Sequence, residues 1–253
     1  MAIIKSFVSA ISLYSKLPMP NLEYKEGEDR FSLCFFPFIG VIICGLILLC
    51  NRLSIILNLG NDTIKIIILL IPIALTGGIH LDGFLDVMDA IHSYGDKGKK
   101  LKILDDPHIG AFSIIKLLEL VLIWMICMLE IDCKYFFLIG LGFIISRALS
   151  GIALLNFVPA KDSGMLMFTR THASKKVCNS ILFLWVLAVA FLSLFIYKTI
   201  AIFPIAVELM AFVFYRYKSN KEFGGITGDL AGCFLVMAET GWVVSIFIAG
   251  LFL

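Results

Sequence analysis

Apolar positions in this chain gather in long blocks rather than alternating or short runs, and seven blocks approach the ~20 residues a helix needs to cross a ~30 Å hydrocarbon layer. They extend from Phe31 to Leu49, Ile64 to Ile79, Ala111 to Ile131, Tyr135 to Phe157, Ser180 to Tyr197, Thr199 to Tyr215 and Leu230 to Leu253. Little more than Lys198 separates the fifth from the sixth, which leaves open a hairpin or one long helix. Ahead of them, Ile4, Phe7, Val8, Ile11 and Tyr14 recur at helical spacing among Lys5 and Lys16, as in an amphipathic helix lying in the membrane interface. The apolar part there is short and interrupted by Ser, which argues against a cleaved signal peptide. The pattern predicts an all-α polytopic membrane protein of about seven transmembrane helices with an N-terminal interfacial amphipathic helix.

Composition agrees: the 253 residues are 60% hydrophobic and 16% charged, with a mean hydropathy of +0.99. A formal net charge of +2 is too small for a nucleic-acid-binding field, and so apolar a chain is not intrinsically disordered. No linker, repeat or low-complexity tract divides the sequence, so residues 1–253 are read as a single integral membrane domain. The seven Cys residues form no CxxC pair and sit mostly in apolar runs, where a thiol acts as a small hydrophobe.

Cationic residues alternate between successive flanks of the spans. Four in the N-terminal arm (Lys5, Lys16, Lys25, Arg30) are followed by Arg52, then Lys97, Lys99, Lys100 and Lys102, then Lys134. Lys161, Arg170, Lys175 and Lys176 come next, then Lys198, and finally Arg216, Lys218 and Lys221. The positive-inside rule places the N-terminus in the cytoplasm and, after seven spans, the C-terminus outside. His80, His92, His108 and His172 fall on the cytoplasmic side, which points to a cytoplasmic water-soluble substrate.

The densest chemistry follows the second span, in Gly77-Gly78-Ile79-His80-Leu81-Asp82-Gly83-Phe84-Leu85-Asp86-Val87-Met88-Asp89. On a helix, Asp82, Asp86 and Asp89 share an arc of roughly 60°. Like charges so placed repel beside lipid unless a cation neutralises them, and hard oxygen donors suit Mg²⁺ or Mn²⁺ bridged to substrate phosphates. The alternative is a solvated acidic face, although Phe84, Leu85, Val87 and Met88 hold the rest of the helix against the bilayer. His80 is a candidate base or phosphate-orienting group, or a structural residue.

Asp106-Pro107-His108-Ile109-Gly110 opens the third span, where unpaired helix N–H groups favour an anion or simply require a cap. Arg147 lies inside the fourth span and needs a partner or a wet cavity. Lys161 and Arg170 follow it in a loop and suit a diphosphate. Asp229, after Gly224-Gly225-Ile226-Thr227-Gly228, is a further metal ligand, a ribose contact or an N-cap. Glu119, Glu208 and Glu239 are buried acids without an evident partner.

Taken together, these residues resemble the cobalamin synthase family, adenosylcobinamide-GDP ribazoletransferase, along nearly the whole chain. The similarity is carried by Leu17-Pro18-Met19-Pro20, Phe35-Phe36-Pro37-Phe38-Ile39-Gly40, Gly77 to Gly83 with Asp86 and Asp89, Asp106 to Phe112, Ser146-Arg147 and Gly228-Asp229. His108 stands where the family often has Arg, Lys161 where Ala-Arg is usual, and Gly232 gives Asp229 a variant surround. The resemblance implies a Mg²⁺-dependent (or Mn²⁺-dependent) membrane transferase. In it a ribose hydroxyl of α-ribazole, or of its 5'-phosphate, attacks the cobinamide-proximal phosphorus of adenosylcobinamide-GDP and GMP leaves.

On that reading Asp82, Asp86 and Asp89 bind the ion, with one assisting deprotonation of the attacking hydroxyl. Asp229 supports the metal or nucleotide, and His80, Asp106, His108, Arg147, Lys161 and Arg170 contact substrate. The outer apolar faces suit lipid, a second copy or another cobalamin-pathway enzyme. Two other readings are a CDP-alcohol phosphotransferase, whose Ala-Arg after Asp-Gly is replaced here by Phe84-Leu85, and a cation transporter, which calls for acids deep in several spans.

Overall fold

The computed structural model describes residues 2–22 and 27–252. Lys25 of the cationic count and Leu253 at the end of the seventh predicted span lie outside the described residues. The described chain forms α1 (Ala2–Tyr14), α2 (Phe36–Ile56), α3 (Asn61–Thr76), α4 (Ile79–His92), α5 (Lys97–Ile103), α6 (Ala111–Glu130), α7 (Phe136–Asn156), α8 (Met165–His172), α9 (Lys175–Tyr197), α10 (Ile202–Phe223) and α11 (Gly228–Phe252). Among the described residues the only extended pairing is an isolated bridge between Pro159 and Ile226.

Five helical runs are long and apolar enough to cross a membrane, and the pair α3 and α4, bent by 91°, makes a sixth if it counts as one span. One of the five, Lys175–Phe223, is 49 residues long, and contacts with α7 show that it doubles back. Asn179 near its start exchanges hydrogen bonds with Asn156 at the end of α7. Tyr215 near its finish meets Phe157, also at that end, with ring centroids 5.7 Å apart. Its middle reaches the opposite end of α7, where the Tyr197 hydroxyl donates to the Lys134 carbonyl at 3.0 Å. The hairpin alternative is therefore the observed one, and it turns at Lys198, where φ is +50°.

The second predicted span is the one that changes. Ile64 to Ile79 does not continue as a single rod, because α3 ends at Thr76 and Gly77 and Gly78 both adopt left-handed conformations, with φ of +65° and +79°. Two adjacent glycines turn the chain without the Cβ clash another residue would meet. The acidic segment therefore leaves the axis of α3 and runs as α4 across one end of the bundle. At its far end α3 is tied to α6, where buried Lys65 donates to the Leu129 carbonyl at 2.6 Å, satisfying a free helix C-terminal acceptor.

α7 is the centre of the bundle, buried along nearly its whole length, with α2, α9 and α11 around it. Trp242 of α11 is fully buried and donates its indole N–H to the Leu138 carbonyl of α7 at 2.8 Å. The outer faces of α6, α9 and α10 expose large side chains such as Leu118, Ile126, Phe191, Phe195 and Val213, as lipid-facing helices do. The cationic segments collect at the end that carries α4. Lys100 of α5 pairs with Glu222 at 2.6 Å, Ser174 donates to the Arg30 carbonyl at 2.9 Å, and Lys161 reaches Asp105.

Candidate active site

Three helix ends build the site on that face. α4 supplies Asp82, Asp86 and Asp89, and α11 crosses it so closely that a Cβ on Gly83 would stand 2.7 Å from the Asp229 carbonyl oxygen and 2.9 Å from its Cα. The absence of a side chain at Gly83 is what lets Asp229 approach the α4 acids. The Thr227 hydroxyl accepts from the Leu230 N–H at 3.2 Å. Thr227 is thus the cap of α11, and the N-cap alternative for Asp229 falls away.

The carboxylates feel one another. Partial burial, followed by the charges of Asp82, Asp229 and Asp89, pushes Asp86 up from the ordinary carboxylate range to about 6. Asp82 is exposed and faces a cleft of about 580 Å³ that is also lined by Ser12, Ser15, Lys16, Thr76 and Gly78. Lys16 was read from sequence as part of the amphipathic segment and of the cationic arm, not of the site. Its backbone N–H bonds to the Leu75 carbonyl at 2.8 Å, which fixes it at the α3–α4 corner.

Asp89 has a different task from its two neighbours. Its carboxylate accepts from the Gly110 N–H at 2.6 Å, the Ser113 N–H at 3.1 Å and the Ser113 hydroxyl at 2.5 Å. The Ser113 hydroxyl oxygen also lies 2.6 Å from the Leu85 carbonyl oxygen, and its single proton serves one of the two acceptors at a time. Asp89 thereby caps α6 and binds it to α4, a contact favoured by the positive dipole end of α6. Ser113 was not a candidate from sequence; its offset of three from Gly110 was the available signal.

Among the described residues no three acidic, His or Cys side chains already stand gathered at ion-holding distance. That excludes a preformed cage, but it suits the way Mg²⁺ is commonly held, by one or two carboxylates with substrate phosphates and water completing the shell. Asp82, Asp86 and Asp229 offer the hard oxygens such an ion needs, whereas Asp89 has committed its oxygens to α6.

The remaining predicted contacts do not gather at the acids but lie in four separate places. Lys161 bonds both Asp105 oxygens at 2.7 Å, and its loop is paired to the segment before α11 through the Ala160 N–H and Ile226 carbonyl at 2.9 Å. Lys161 thus stands on the site's rim. Asp106 and His108 lie exposed in one turn, with the His108 Nδ1 at 2.6 Å from Asp106 Oδ1. The hydrogen bonds from His108 hold the Asp106 carboxyl below its usual range. Arg170 donates to the Phe157 carbonyl at 2.5 Å, tying α8 to the end of α7 instead of facing the acids.

Arg147 and His80 point away from the acidic face into the bundle. Arg147 is fully buried, and its Nη1 donates to Glu239 Oε1 at 2.7 Å and to the Phe143 carbonyl at 2.8 Å. Its partner is thus Glu239, one of the three acids unassigned from sequence. Glu119, expected from sequence to be buried, is instead exposed on α6 and pairs with Lys116 at 2.7 Å, while neither oxygen of buried Glu208 has a hydrogen-bond partner among the described residues. His80 lines the same interior cavity as Arg147.

The sequence profile described as Cobalamin-5-phosphate synthase matches residues 6–247. The chain belongs to the cobalamin-5-phosphate synthase family. Its members make it a cobalamin synthase, a transferase of cobalamin biosynthesis. Among curated relatives, the adenosylcobinamide-GDP ribazoletransferase of Lachnoclostridium phytofermentans is 36% identical over 230 residues, covering 91% of this chain and 88% of the relative. The enzyme of the same name from Clostridium botulinum (strain Alaska E43 / Type E3) is 35% identical, with 98% of each chain covered. That from Treponema denticola is 34% identical, with 93% and 94% covered. No solved structure matches this cobalamin synthase.

Proposed function

We propose that the α4–α11 crossing is where this enzyme joins the adenosylcobinamide phosphate of adenosylcobinamide-GDP to α-ribazole or its 5'-phosphate. A ribose hydroxyl oxygen bonds to the cobinamide-proximal phosphorus, the bond from that phosphorus to the bridging oxygen breaks, and GMP departs with that oxygen. The hydroxyl proton passes to a carboxylate, for which exposed Asp82 in its open cleft is best placed. Lys16 and Lys161 flank the site and balance phosphate charge at its two sides. The relatives' shared name supports the substrates, and the observation that carries the site is the approach of Asp229 to Asp86 permitted by Gly83.

Asp82, Asp86 and Asp229 would hold a Mg²⁺ or Mn²⁺ ion, which when bound supplies neutralisation of the charge developing on the diphosphate. Asp89 positions these groups by fixing α6 to α4. The gathering of Lys and Arg at the α4 end supports a cytoplasmic site in a prokaryotic inner membrane. The test is purified protein in lipid nanodiscs with adenosylcobinamide-GDP and α-ribazole. GMP release that requires Mg²⁺ and stops with a chelator is expected; no GMP release, or release indifferent to chelation, would contradict the proposal.

A further inference from the structure

The cleft in front of Asp82 contains a cation to which the fold gives no counterion. Lys16, just after α1, is exposed and lines this cleft together with Ser12, Gly77, Gly78 and Asp82. Its N–H is bonded to the Leu75 carbonyl at 2.8 Å. Its aliphatic stem lies across Gly77, where a Cβ would stand 2.5 Å from Lys16 Cγ. Backbone and stem are thus both placed, yet among the described residues the Lys16 ammonium enters no ion pair.

The other cation at the site is differently situated. Lys161 is already bonded to Asp105, and its loop is paired to the segment that leads to Asp229. Of the four acids Asp82 lines the cleft, whereas Asp86, Asp89 and Asp229 do not. A diphosphate drawn to an ion among Asp82, Asp86 and Asp229 therefore lies toward Lys161, and the Lys16 side of Asp82 is left for the acceptor. Gly78 and Asp82 are four residues apart on α4, or ~6 Å along its axis. A ribose covers such a gap between a ring hydroxyl and a phosphate on its 5' carbon.

We infer that Lys16 determines acceptor specificity: its ammonium takes the 5'-phosphate of α-ribazole 5'-phosphate while the ribose hydroxyl rests at Asp82. The inference rests on the reaction proposed above and narrows it to one of its two acceptors. An ammonium is a compact charge with three donors, suited to a dianion at the end of a flexible arm. Free α-ribazole leaves that charge facing water and gains no contact from it. The cleft, at about 580 Å³, lies within the ~300–1,000 Å³ typical of small-molecule sites.

The experiment compares α-ribazole 5'-phosphate with α-ribazole as acceptors for GMP release by the enzyme in nanodiscs with Mg²⁺. The wild type should show a kcat/KM at least roughly tenfold higher for the phosphorylated acceptor. Lys16→Met, which keeps the stem and removes the charge, should bring that ratio close to unity, and Lys16→Arg should retain most of it. A merely structural lesion lowers both acceptors alike and leaves the ratio unchanged. A wild type indifferent to the phosphate, or a wild-type ratio in Lys16→Met, would overturn the inference. Should Lys16→Met not turn over, equilibrium dialysis of radiolabelled α-ribazole 5'-phosphate reads the same contact without reaction. Binding should weaken by at least roughly tenfold, and equal binding to wild type and variant would overturn the inference. GMP release without preference for the phosphate leaves the reaction standing and ends the inference. Lys16-dependent binding of α-ribazole 5'-phosphate without GMP release supports the contact and counts against the reaction alone.

Discussion

Gly83 and Asp229 are in contact across the α4–α11 crossing, so near that a methyl group on Gly83 would sit 2.7 Å from the Asp229 carbonyl oxygen. Backbone cannot yield as a flexible side chain does, so Gly83→Ala must move one helix relative to the other. A displacement of about 1 Å at a reacting centre can cost on the order of 10²-fold in rate. Loss of that size in GMP release is expected, with the protein still inserted in the membrane. Gly45→Ala, where an added Cβ meets nothing among the described residues within 4 Å, is the silent comparison. Wild-type activity in Gly83→Ala would mean that the crossing does not set the site.

Asp82 and Asp89 share one helix face but predict opposite phenotypes. Asp89→Asn weakens charge-assisted bonds to Gly110 and Ser113, a loss of about 1–3 kcal/mol, so its apparent melting temperature should fall. Asp82→Asn removes one of the like charges acting on Asp86 and, among the described residues, breaks no hydrogen bond of this kind. Its melting temperature should hold or rise while activity falls. Identical thermal behaviour of the two variants would contradict the division of labour.

The buried Arg147–Glu239 pair makes a third prediction. Removing one partner leaves a charge in the bundle with no counterion, which costs about 3–5 kcal/mol, whereas replacing both by apolar groups costs much less. Glu239→Leu and Arg147→Met should each lower the melting temperature sharply, and the double variant should recover most of the loss. Additive losses in a double-mutant cycle would show that the two side chains are not coupled.

Much of this arrangement was legible in the residues. Long apolar blocks gave the crossings because a bilayer demands length and hydrophobicity, and the spacing of Asp82, Asp86 and Asp89 gave their common face. The bend before them was less visible, since Gly77 and Gly78 permit a left-handed corner without requiring one. What helical periodicity could not reach is contact between elements distant in sequence. Asp89 looked equivalent to Asp82 until Gly110 and Ser113 of α6 came against it, and Arg147 was assigned to phosphate because Glu239, 92 positions away, carries no mark of being its partner. Gly83 shows the same limit: a glycine in a helix signals close approach to something, but only the fold names Asp229.

Sidedness is open to direct labelling. In a chain whose native cysteines have been replaced, Lys134→Cys at the end remote from α4 should react with a membrane-impermeant maleimide in intact cells. Lys102→Cys, at the α4 end, should react only after permeabilisation. Labelling of both from the same side would contradict the assigned orientation.

The most direct measurement of the central claim is an electron paramagnetic resonance titration of Mn²⁺ into purified protein in nanodiscs with adenosylcobinamide-GDP present. Saturable loss of the free Mn²⁺ signal is expected for the wild type and for Asp132→Asn, which alters an exposed pair with Lys134 at the end remote from α4. The bound fraction should collapse in Asp82→Asn and Asp229→Asn. Undiminished Mn²⁺ binding in those two variants would show that the α4–α11 carboxylates do not hold the ion.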